Sequence, residues 1–210
     1  MISEKDKYLT IERMSEGLYR DKGSRFLAFA FPVNDETEIK GKLEYLMKKY
    51  HDARHYCYAW RLVPLMHNFR VNDDGEPSNS AGKPILGQIQ SFGLTNIIVV
   101  VVRYFGGTLL GVGGLAKAYK TASQEALKNA LVIEKYVQEL YKISFGYTEM
   151  NLVMKVIKDM GLEHFDENFK LYCELKIQVP KCEVSKLKGI LGLNPNIKIE
   201  LISDKEKVIR

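Results

Sequence analysis

Residues 96–119 read NIIVVVVRYFGGTLLGVGGLAKAY. Asn96 to Tyr104 is β-branched, is bounded by turn residues, and holds four consecutive valines, the pattern of a strand buried on both faces. Leu115 to Ala130, rich in Ala, Leu, Lys and Gln, reads as a helix. Between the two stand Gly106, Gly107, Gly111, Gly113 and Gly114. A glycine in regular structure costs about 0.5–1 kcal/mol relative to alanine. Typical domain stability is only about 5–15 kcal/mol, so this junction is expensive unless the backbone needs positive φ there or something approaches it closely.

Three readings of the junction can be tested on spacing. A phosphate-cradling loop of the G-x-x-x-x-G-K-[ST] type is excluded, because no glycine here is followed by Lys-Ser or Lys-Thr in that frame. Gly111, Gly113 and Ala116 fit G-x-G-x-x-G/A and Glu134 follows about 20 residues on, but the first glycine stands too far from Tyr104 to open a dinucleotide site directly after a strand. The third reading is a wide turn that lets strand, loop and helix pack backbone to backbone. In every case the loop opens onto a helix N-terminus, where free N–H groups and the helix dipole favour an anion. Arg103 before it and Lys117 and Lys120 after it make the neighbourhood electropositive. A structural loop and an anion-binding loop both stay open.

Toward the N-terminus, Tyr8–Arg13, Gly17–Arg20 and Ser24–Phe31 read as strands, with a turn at RDKGS. Asn34 or Asp35 caps a following helix, Glu38 completes a capping box, and Ile39, Leu43, Leu46, Met47 and Tyr50 recur at helical spacing. His55–Val63 reads as a strand, Val71–Pro84 as a long polar loop, and Leu86–Phe92 as a short helix.

Within the polar loop, DDGEP places Asp73, Asp74 and Glu76 together. One reading is a hard-cation site, although Ca²⁺ wants six to eight oxygens. The favoured one is a turn at Asp74-Gly75 in which Glu76 or Asp74 pairs with a nearby arginine. His55 and Cys57 share a strand face about 7 Å apart, too far for a direct thiol–imidazole bond, so a structural role is preferred over a nucleophile. The aromatic residues of this half, interspersed with Lys22, Arg25, Arg54, His55 and Arg61, could stack on single-stranded nucleic acid, yet aromatic residues in strands more often form core.

From Tyr136 the character changes. QELYKISFG reads as a strand, TEMNLVMKVIKDMG as a helix, and EHFDENFKLYCELKIQV as a hairpin turning at Asp166–Asn168. A helix in KCEVSKLKGILG and a strand in NIKIELIS complete βαββαβ, the ferredoxin-like order. The class is therefore α+β in two domains, 1–135 and 136–210. Lys plus Arg exceed Asp plus Glu by 31 to 26, a balance that permits an anionic partner without demanding one. The N-terminus has no secretory h-region and no apolar run approaches the roughly 20 residues of a membrane span. Three scattered cysteines suit a reducing compartment, so a cytoplasmic protein without membrane contact is expected.

Four stretches carry a resemblance. DDGEPSNSAGKPIL resembles a DDGEP-x-x-x-AGKP element, VVVRYFGGTLLGVGGLAKAY resembles RYFGG-x-x-LG-x-GGL-x-x-AY, and KGSRFLA and HYCYAW stand in the expected earlier places. Together they resemble the YigZ/IMPACT family over nearly the whole chain. Members often have Gly-Thr where this chain has Asn79-Ser80, and Asn at Tyr56. The resemblance implies a two-layer α/β N-terminal domain, like domain 2 of a small-subunit ribosomal protein and small-molecule kinases. It also implies a ferredoxin-like C-terminal domain similar to domain V of elongation factor G.

In eukaryotic relatives the module acts in control of translation initiation through protein contacts on the ribosome. The resemblance brings no established catalytic activity; no cofactor or metal is expected, and no catalytic residue is assigned. The expected partner is the ribosome or RNA. Anion or nucleic-acid binding is expected at Ser24, Arg25, Arg103, Gly106, Gly107, Gly111, Gly113, Gly114 and Lys117, in a groove bordered by His55, Cys57, Asp73, Asp74, Glu76 and Tyr104. Two alternatives accompany it: a metal-dependent enzyme acting on a phosphorylated small molecule, with the metal on Asp73, Asp74 and Glu76, and a protein-interaction module.

Overall fold

The computed structural model describes residues 6–63, 68–169 and 172–202. The chain divides into two compact units, Tyr8–Lys135 and the residues from Tyr136 onward together with Asp6 and Lys7.

The first unit is built on a five-stranded sheet. In chain order its elements are β1 (Lys7–Ile11), β2 (Ser15–Asp21), β3 (Ser24–Pro32), α1 (Glu36–Lys49), β4 (His55–Arg61), β5 (Phe69–Asn72), α2 (Gly82–Ser91), β6 (Ile97–Tyr104), α3 (Gly111–Lys128) and β7 (Val132–Tyr136). The sheet order is β2-β3-β6-β4-β5 with every neighbour antiparallel, while β1 and β7 form a separate two-stranded sheet. The valine run is the central strand, buried on both faces. Alternation sends Ile97, Val99 and Val101 to the face covered by α2 and α3, and Ile98, Val100 and Val102 to the face covered by α1. The sheet thus carries helices on both sides.

Capping explains α1. Asp35 accepts from the Glu38 N–H at 2.8 Å, and the Glu38 carboxylate reaches back to the N–H of Asn34 at 3.0 Å. Two helices start earlier than their composition suggests, α2 at Gly82 inside the polar loop and α3 at Gly111. Gly111, Gly113 and Gly114 are therefore the first turn of a helix and not part of the preceding loop.

The second unit contains β8 (Gln138–Gly146), α4 (Met150–Asp159), β9 (Glu163–Phe169), β10 (Tyr172–Pro180), α5 (Val184–Leu191) and β11 (Ile197–Leu201). Its antiparallel order β11-β8-β10-β9 is that of the split βαβ fold. Tyr141, Ile143, Phe145, Leu175 and Ile177 meet Val153, Ile157 and Leu187 of the two helices in its core. The hairpin turn expected at Asp166–Asn168 is instead a β-bulge. The strand continues to Phe169, the register shifts opposite Glu174–Lys176, and Asp166 takes φ 52°. Among the described residues no helix is long and apolar enough to cross a membrane.

Candidate functional site

Strand direction gathers the motif residues at one end of the five-stranded sheet. The end of β6, the starts of β3 and β4, and the loops leading into α2 and α3 all lie there, because β3 and β4 run antiparallel to β6 on either side of it. Gly23 and Gly106 touch backbone to backbone: a Cβ on Gly106 would lie 2.0 Å from the Gly23 carbonyl carbon and 2.1 Å from the Ser24 nitrogen. Gly107 and Gly111 answer the other half of the glycine question, with φ of 87° and 69°. Gly113 needs neither, since a side chain there would enter open space.

The carboxylates of DDGEP are committed to structure. Asp73 accepts from the N–H groups of Ala81 at 3.0 Å, Gly82 at 2.8 Å and Asn79 at 2.8 Å, and so closes the N-terminus of α2. Asp74 accepts from the Tyr56 N–H at 2.6 Å, and its carbonyl oxygen lies 2.8 Å from Nδ1 of His55. A carbonyl can only accept, so His55 carries its proton on Nδ1 in this contact. Glu76 takes the guanidinium of Arg103 at 2.5 Å and the Tyr119 hydroxyl at 2.7 Å. No group of three or more His, Cys, Asp and Glu among the described residues is placed to hold a metal ion. The bonds above engage both carboxylate oxygens of Asp73 and one each of Asp74 and Glu76.

Two expected contact residues are placed inside instead. Arg103 is 7% exposed at its side chain and Glu76 3%, with the guanidinium between the rings of Phe26 (5.4 Å) and Phe105 (5.6 Å). Arg103 is thus a buried, neutralised charge and not an open anchor for phosphate. Ser24 is fully buried, and its hydroxyl accepts from the Gly106 N–H at 3.1 Å, which holds the loop. Cys57 is buried as well. Its sulfur lies 3.0 Å from the Asp73 carbonyl and 3.3 Å from the Tyr119 hydroxyl, and burial pushes both the thiol and the phenol of Tyr119 upward. A thiol held protonated in this way is no nucleophile.

What stays outside is the glycine loop with its helix. Gly106, Gly107, Thr108, Gly111, Val112, Gly113 and Lys117 are exposed, and Leu109 is 83% exposed. The N-terminus of α3 has no side-chain cap, in contrast to α2 under Asp73. Arg25 is exposed, with its guanidinium 4.8 Å from the centre of the Tyr104 ring. The Tyr104 hydroxyl donates to Asp52 at 2.7 Å, which lowers the Asp52 carboxyl, while burial first and Asp52 second push the phenol up to about 12. A cleft of about 220 Å³ opens beside them, lined by Asp52, Arg54, Arg103, Tyr104 and Phe105. Tyr119, which joins Glu76 to Cys57, closes the GGL-x-x-AY end of the glycine-rich motif, but its partners are not legible there. Arg54 and Phe105 stand in the sequence only as one of the interspersed cations and as part of RYFGG, and the fold brings them to one cleft.

The Impact N-terminal domain model matches residues 22–127, the span that contains every residue of this site. The IMPACT family member YigZ of Escherichia coli (strain K12) is 30% identical over 173 residues, 81% of this chain and 85% of its own. The IMPACT family member YvyE of Bacillus subtilis (strain 168) is 31% identical over 175 residues, 80% of this chain and 81% of its own. A crystal structure of a hypothetical protein aligns over 95% of this chain and 98% of its own with a TM-score of 0.75 and 26% identity. With its glycine loop, its DDGEP turn and relatives matched along most of their length, the chain belongs to the IMPACT family.

Proposed function

We propose that this protein is a translation-linked regulator that binds the ribosome through RNA phosphate at the glycine-loop end of its first unit. The exposed and uncapped start of α3 carries this reading. The helix N-terminus and its dipole favour an anion there, and Lys117 and Arg25 add exposed charge, that of Arg25 partly offset by Asp52. The buried Glu76–Arg103–Tyr119 cluster supports the loop from beneath instead of touching the ligand. Membership of the family supports the link to translation.

The apolar exposure of Leu109, Val112 and Phe105 on the same loop favours a second reading, a docking knuckle for a protein of the ribosome. Co-sedimentation separates the two. Purified protein should pellet with ribosomes at low salt and be released as salt rises, and Lys117→Glu should pellet less. Binding to ribosomes that survives high salt, with no binding to protein-free ribosomal RNA, would favour the protein contact.

A further inference from the structure

The strand register sets a row of cations across the sheet. Arg20 of β2 stands directly opposite Arg25 of β3, and Arg25 directly opposite Tyr104 of β6. His55 pairs with Arg103, and Arg54, in the bend just before β4, lines the cleft beside Tyr104. Tyr104 packs on the α1 side of the sheet, which fixes the face for the row. At about 4.8 Å per strand, Arg20 to Arg54 spans about 14 Å.

Like charges directly opposite on neighbouring strands destabilise a sheet. Arg20, Arg25 and Arg54 are all exposed, and none makes a salt bridge among the described residues. Asp52, which accepts from the Tyr104 hydroxyl, offsets part of the charge beside Arg25, and a polyanion lying along the row would relieve the remainder. At the end of the row the cleft is lined by Tyr104, by Phe105, which is 49% exposed, and by Arg54 and Asp52, an aromatic surface beside an exposed guanidinium group and one carboxylate. Phosphates on the arginines and a base against an aromatic ring are the two parts of single-strand recognition. A duplex, with its bases stacked inside, could use only the first.

We propose that the row Arg20–Arg25–Tyr104–Arg54, with the cleft against Phe105, is a track for single-stranded RNA. The proposal rests on the ribosomal RNA reading above and specifies the face and the strandedness. It is tested by anisotropy of a fluorescein-labelled oligouridylate about a dozen nucleotides long, titrated with full-length protein over a salt series. Each lost phosphate contact lowers the log–log salt slope by about 0.7, so Arg20→Gln/Arg54→Gln should flatten it by about 1.4. Phe105→Ala should weaken binding about tenfold and leave the slope unchanged. Lys120→Gln/Lys128→Gln on α3, across the sheet, removes the same charge and should change the slope little.

An unchanged slope in the arginine variant overturns the proposal. So does an equal loss in the α3 control, or equal affinity for a duplex of the same length. If wild type pellets with ribosomes in a salt-sensitive way while the arginine variant binds as wild type does, this track alone is refuted and the ribosome reading stands. If wild type binds neither ribosomes nor the oligonucleotide at low salt, both fall.

Discussion

Arg103 brings a charge under the sheet end, and among the described residues Glu76 is the carboxylate that pairs with it. Breaking such a pair leaves an uncompensated buried charge, at a cost of about 3–5 kcal/mol. Glu76→Gln keeps the shape and an acceptor for Tyr119 but removes the charge. Urea unfolding at neutral pH should show a loss of that size, and a loss below about 1 kcal/mol would place the pair with ordinary surface bridges. The glycines divide by the same kind of argument. Gly106→Ala drives a methyl group into the Gly23–Ser24 backbone and should destabilise by about 1–3 kcal/mol. Gly113→Ala meets nothing in the first turn of α3 and should stabilise by about 0.5–1 kcal/mol, read as a shift in thermal midpoint of opposite sign. The sequence does not separate these two glycines, because a close approach is a property of two strands brought together by the fold.

The two helices that start at this end are treated differently by the chain. Asp73 satisfies the start of α2, so Asp73→Ala should cost about 1–2 kcal/mol by urea unfolding, and a loss of no more than a few tenths would contradict the capping role. The start of α3 has no side-chain cap, a property it shares with α4 and α5, and it stands beside the exposed glycine loop. Neither start is legible in composition. Gly, Lys and Pro open α2, and three glycines fill the first turn of α3, so propensity reads both as loop. The same local bias reads Asp166–Asn168 as a turn, where pairing to β10 turns the positive φ of Asp166 into a bulge. Short strands such as β5, four residues long, give periodicity too little length to register. By contrast β6, α1 and the order of elements after Tyr136 are legible, since burial on both faces, a capping box and βαββαβ alternation are local patterns.

Across the whole molecule, the two units carry two different architectures, and the family's motif residues collect in the first. The ion pair between Glu76 and an arginine is foreshadowed in the sequence, because a carboxylate beside a turn seeks a nearby cation. The arginine row is not, since Arg20 meets Arg25 only through strand pairing and Arg54 reaches the cleft beside Tyr104 only through the fold. The central claim is that the α3 start is an anion site for the ribosome. Gly113→Asp tests it most directly. Asp in the first turn should strengthen the helix while placing a negative charge where phosphate would sit. Wild type should pellet with ribosomes at low salt, and the variant, folded by circular dichroism, should remain in the supernatant. A folded Gly113→Asp that pellets as wild type does would contradict the claim.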